Sequence, residues 1–102
     1  MEFEWDDAKA RVNYKKHGVR FAEAASIWLD AKSLEIPDPE HSKDEDRWIR
    51  IGVSSRLRAL VVVYVEKIEG KRIRIISARK ADKAEEATYL ESSNTEGMSY
   101  EE

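Results

Sequence analysis

Residues 58–80, RALVVVYVEKIEGKRIRIISARK, decide how the chain folds. An apolar run is followed by a short break, Glu69-Gly70-Lys71, and by a second run that alternates Arg72, Ile73, Arg74, Ile75. Two strand-forming runs joined by a glycine-containing turn read as a hairpin. The first run is apolar enough for a central strand. The second breaks phase at Ile76 and continues Ser77-Ala78-Arg79-Lys80. Period-two geometry predicts Ile73, Ile75 and Ser77 on the inner side, with Arg72 and Arg74 outward.

Outward from the hairpin, Arg47–Ser54 alternates in the same way, and Ser33–Ile36 is a short strand ended by Pro37-Asp38-Pro39. Glu2–Trp5 reads as a first strand. Asp6 caps a helix that Gly18 stops. Phe21, Ala24, Ala25, Trp28 and Leu29 recur at helical spacing over residues 20–30. Ala81–Leu90 suits a C-terminal helix, and residues 91–102 an acidic, frayed tail. The order predicts one α+β domain over residues 1–90: a mainly antiparallel sheet with two N-terminal helices on one face and a C-terminal helix.

The 102 residues include no cysteine, which excludes disulfides and thiolate metal sites and suits the cytoplasm. The longest apolar run, Ala59–Val65, is too short to cross a bilayer, and the acidic N-terminus lacks the order of a signal peptide. The expectation is a soluble cytoplasmic domain with no membrane partner. A net charge of −3 conceals an asymmetry. Residues 1–46 hold 7 Lys/Arg against 12 Asp/Glu, whereas residues 47–80 hold 10 against 2. The second block has the local field of a polyanion-binding site.

Parity places Ile49, Ile51 and Val53 toward the helices and Trp48 and Arg50 away from them. Tyr64 is placed outward because its hydroxyl needs water or a partner. The expected open face therefore carries Trp48, Arg50, Tyr64, Arg72 and Arg74. Guanidinium groups hold phosphates and aromatic rings stack on unpaired bases, so the face suits single-stranded RNA. Outward arginines also protect an edge strand, and Trp48 is a core residue if the register slips by one.

His17, before Gly18, reads as part of a helix end. His41 lies in the polar loop PEHSKDEDR beside Glu45, where an imidazole can act as acid or base. The acids Asp38, Glu40, Asp44, Glu45 and Asp46 lack the spacing of a calcium loop, and two unpaired histidines make a poor zinc site, so neither a metal nor a cofactor is expected. Tyr89 fits the core or a position over the sheet edge beside Arg79.

The residues FEWD (3–6), Lys9-Ala10, Asn13, KHGV (16–19), Phe21 and Glu23-Ala24 resemble the opening of the BrnT toxins. DPEHS (38–42), Glu45 with Arg47, Gly52, LVVV (60–63) and RIISARKA (74–81) resemble the remainder, so the likeness covers about residues 2–90. It implies a RelE-like ribonuclease of a type II toxin–antitoxin pair. The implied partners are RNA, a ribbon-helix-helix antitoxin and, through the antitoxin alone, operator DNA. The implied outcome is metal-independent RNA cleavage that blocks translation. In that chemistry Arg79, Lys80 and Arg50 fit the cation role, His41 or Glu45 the base, and Tyr89 an orienting or donating role. The competing readings are a non-catalytic RNA-binding module and a partner-binding module that uses the same basic face.

Overall fold

The computed structural model describes residues 1–40 and 46–98, with side chains described as far as Ser92. The elements are β1 (Glu2–Glu4), α1 (Asp7–His17), α2 (Phe21–Ala25) with a 3-10 turn at Ser26–Leu29, β2 (Leu34–Pro37), β3 (Arg47–Val53), β4 (Ala59–Lys67), β5 (Arg72–Lys80) and α3 (Lys83–Met98). Local chemistry sets the helix ends. The Asp6 carboxylate accepts the Lys9 amide at 3.0 Å. Gly18 takes φ 69° and donates its amide to the Tyr14 carbonyl, which closes α1. Asp82 and Glu85 each accept the other's backbone amide, a reciprocal cap that starts α3. That helix runs to Met98, past the end expected at Leu90.

One five-stranded sheet has the order β1-β5-β4-β3-β2. The fold is α+β as expected, but the sheet is mixed: β1 runs parallel to β5, while the other pairs are antiparallel. The phase break in β5 is a bulge. Val63 faces Ser77 and Tyr64 faces Ile75, which leaves Ile76 as the extra residue. The bulge lets Ile73, Ile75 and Ala78 all bury against α1 and α2. It turns Ser77 to the opposite side, against the inward placement expected from strict alternation.

The faces of β3 and β4 are also reversed from expectation. Leu60, Val62 and Tyr64, with Trp48 packed beside them, form the main core with Val19, Phe21, Ala24 and Ile27. Ile51 and Val61 form a second cluster on the other face with Tyr89 of α3, and Ile49 and Val53 pack against it. The reason is physical. β4 is apolar on both sides, and helices cover both sides of the sheet, so alternation alone does not say which face meets α1 and α2. Gly52 settles it, because a Cβ there would meet the Ser33 Cβ at 2.9 Å and the Ile27 Cβ at 3.2 Å. Only glycine lets the 3-10 turn approach β3 so closely.

Candidate functional site

Strand register builds the face opposite α1 and α2 in three rows across β3, β4 and β5. The rows are Arg47–Val65–Arg74, then Ile49–Val63–Ser77, then Ile51–Val61–Arg79. Successive rows lie about 7 Å apart, the rise of two strand residues. α3 covers the last apolar pair through Tyr89. The middle row is the floor of an open groove of about 460 Å3, walled by Arg47, Ile76 and Ser77 and by Asp38, Pro39 and Glu40. Backbone bonding holds that wall: the Asp38 amide donates to the Arg47 carbonyl, and the Asp38 carboxylate accepts the Glu40 amide.

Arg79 stands at one end of this face. It donates two parallel bonds of 2.7 Å to Glu85, and Nη1 also reaches the Lys80 carbonyl. Nε–H and one Nη2–H remain for a ligand. The Arg79 hydrogen bonds hold the Glu85 carboxyl below its ordinary range against the opposing effect of burial, and Glu85 in turn raises the guanidinium. Tyr89, 9% exposed, is a core residue whose hydroxyl donates to Asp30 at 2.6 Å. Asp30 also accepts the Val53 and Lys32 amides. Burial disfavours the Asp30 charge, but these bonds together outweigh it and lower its pKa. Lys80 is exposed at the end of β5.

The remaining expected site residues lie elsewhere. Tyr64 is 0% exposed and donates its hydroxyl to Glu35. Burial first, and then that bond, push the phenol pKa well up. Arg50 lies over the Trp28 ring at 4.8 Å and donates to Ser33 at 2.7 Å and Glu35 at 2.9 Å. Trp48 packs on the same core. These three residues face α1 and α2, not the open side, so no base can stack on Tyr64. Arg72 and Arg74 do point to the open side, but β1 lies alongside them. Glu4 pairs with Arg74, Arg72 and Lys67, and Glu2 pairs with Arg72. The structure thus brings Arg79 and Tyr89 to one face and places Arg50 on the other. His41 and Glu45 lie outside the described residues.

Arg47, Ser77 and Glu40 line the groove but do not stand out as site residues in the sequence. Arg47 shares its parity with Ile49, and Ser77 follows the phase break, so both signals are present there. Among the described residues, no three His, Asp or Glu side chains gather as a metal site, and no helix is long and apolar enough to cross a membrane.

A family model described as the ribonuclease toxin BrnT of type II toxin–antitoxin systems matches residues 5–85. The chain belongs to the BrnT family of ribonuclease toxins. The crystal structure of the Brucella abortus ribonuclease toxin BrnT is similar, with a TM-score of 0.62 and 25% identity over 81% of this chain and 99% of that one. No curated protein matches significantly. The BrnT match takes in α1, the whole groove and the Arg79–Glu85 pair, and stops short of most of α3. Membership in a type II family implies a cognate antitoxin as partner.

Proposed function

We propose that the open-face groove is an endoribonuclease site that works without a metal ion. A single-stranded RNA crosses the three strands with a base against Ile49 and Val63. Its phosphate lies between the Arg47 row and Arg79. The ribose 2′-oxygen attacks the adjacent phosphorus, the bond from phosphorus to the 5′-oxygen breaks, and a 2′,3′-cyclic phosphate and a 5′-hydroxyl form. A base takes the 2′-hydroxyl proton and an acid returns one to the departing 5′-oxygen. Arg79, oriented by Glu85, stabilises the charge that develops on the phosphorane, whereas Lys80, opposite Leu60 on the other side of the sheet, is left out of the machinery.

The base is proposed from the sequence as His41 or Glu45; Glu40, which precedes His41, lines the groove. Tyr89 serves to set α3 against the sheet, since its hydroxyl is committed to Asp30. Arg50 is left out of the machinery. The RelE-like character of the reaction, the arrest of translation, and a ribbon-helix-helix antitoxin that covers the groove and carries the complex to operator DNA belong to the same proposal. The observation that supports it most is the apolar row bracketed by arginines.

The test is cleavage of end-labelled RNA in EDTA, free and on translating ribosomes, with the new ends identified. Cyclic phosphate and 5′-hydroxyl ends are expected. Binding without scission under both conditions leaves the RNA-binding module as the better reading. Scission that EDTA abolishes and magnesium restores overturns the metal-free mechanism.

A further inference from the structure

β1 pairs with β5 only over Arg72–Arg74. Beyond that point the edge of β5 is met by a side chain in place of a strand. Asn13 of α1 donates from Nδ2 to the Ala78 carbonyl at 2.9 Å and accepts the Ala78 amide on Oδ1 at 3.1 Å. The same Nδ2 donates to the Val19 carbonyl at 3.0 Å. This arrangement leaves a notch of about 360 Å3 between helix and bulge. Lys9, Val12, Lys16 and His17 line it from the helix, and Ile76 and Ser77 from β5. Ile76 and Ser77 also wall the open-face groove, so the two depressions meet at the bulge.

We infer that the notch along α1 is a second RNA subsite, which holds nucleotides flanking the cleaved bond as the strand leaves the groove. The inference rests on the ribonuclease reading and extends it to a surface outside the sheet. Lys9 and Lys16 lie about two helical turns apart on the same side of α1, and both are exposed. Among the described residues no acid lines the notch, in contrast to Arg72 and Arg74, whose charges are met by Glu2 and Glu4. Val12 is 65% exposed between the two lysines and offers an apolar surface to a base. The half-buried His17 ring offers a stacking plane. Cations at phosphate height beside apolar and aromatic surfaces are what single-stranded nucleic acid requires.

The test uses 2′-O-methyl RNA, which lacks the attacking hydroxyl and so reports binding alone. One oligonucleotide is short enough to fill only the groove; the other is long enough to continue over α1. Lys9→Glu/Lys16→Glu should weaken the long RNA by about tenfold or more and the short RNA by much less. The slope of log K against log salt for the long RNA should fall by about 1.4, or about 0.7 for each phosphate no longer neutralised. Arg11→Glu/Lys15→Glu, which makes the same change in net charge on α1 outside the notch, is the control. Equal losses for the two double variants, or equal losses for the two RNAs, overturn the inference. Lys9→Gln/Lys16→Gln repeats the test without introducing repulsion. Cleavage of unmodified RNA by the wild-type chain is measured alongside. If the wild type neither binds nor cleaves RNA, the ribonuclease reading fails and the subsite falls with it. If the wild type cleaves and the notch variant binds long RNA normally, only the subsite falls.

Discussion

Arg79 and Glu85 meet through two parallel hydrogen bonds of 2.7 Å, so the cation proposed to hold the phosphate is also the one that anchors the start of α3. Replacing Arg79 therefore has two effects. Arg79→Ala should abolish growth arrest in cells lacking the antitoxin, with cleavage falling by about 10²–10³-fold, the scale for losing one transition-state donor. It should also cost up to about 1 kcal/mol of stability, discounted because the side chain is 43% exposed. Wild-type growth arrest by a folded Arg79→Ala chain would remove Arg79 from the machinery.

Glu85→Ala separates the two effects. It removes the orienting carboxylate and one half of the helix cap while leaving the cation in place. The stability loss should be about 1–2 kcal/mol in urea denaturation. Cleavage should fall less than for Arg79→Ala, and an equal fall would show that orientation, not charge, is what Arg79 supplies.

Asn13 is the buried polar side chain on which the seam between α1 and β5 depends. Asn13→Leu leaves the Ala78 amide and carbonyl without their partner and should cost about 2–4 kcal/mol. Asn13→Asp can still accept the Ala78 amide but cannot donate to the Ala78 and Val19 carbonyls, so it too should destabilise. A urea midpoint close to wild type in either variant would contradict the bonding at this seam.

Acid should unfold the chain through Glu23. Its hydrogen bonds from Arg58, opposed by burial and aided by Ser54, hold its pKa below the ordinary 4.5. The folded state thus binds this proton less readily than the unfolded chain does. The stabilisation is present in full above pH 4.5 and is lost as pH falls through the lower folded value. The urea midpoint should be flat near neutrality and drop below about pH 5. Glu23→Gln should be less stable at neutral pH and less sensitive to acid; an unchanged acid slope would assign the effect to Asp30 and Glu85.

Tyr64→Phe should leave RNA binding and cleavage intact and cost about 1–2 kcal/mol, because its hydroxyl bonds a carboxylate inside the protein. A selective loss of RNA affinity, with stability unchanged, would mean that the hydroxyl reaches the ligand after all.

The elements were legible because their signals are local. Asp6 and Gly18 bound α1, the Gly70 turn makes the hairpin, and Ile76 marks the break in β5. The faces were not legible, because β4 carries apolar residues on both sides and a one-residue shift exchanges them. The charge block overstates the unpaired positive charge for a related reason. Among the described residues, at least six of its ten Lys/Arg pair with acids from other parts of the chain: Arg50 with Glu35, Arg58 with Glu23, Lys67, Arg72 and Arg74 with Glu4, and Arg79 with Glu85. A sum along the sequence cannot see neutralisation that tertiary structure creates. The groove was not legible either, since strict alternation puts Ser77 on the inner side, and its place opposite Val63 and Ile49 depends on the bulge and the register.

The parallel pairing of β1 with β5 joins residues 70 apart in the chain, as Glu2 and Arg72 are. During synthesis the first strand is made early and has no neighbour until the last strand leaves the ribosome. All three rows of the groove draw their final member from that same last strand. A chain interrupted before Arg72 therefore lacks both the neighbour of β1 and the last member of every row, so the sheet and the proposed site are completed together by the same strand.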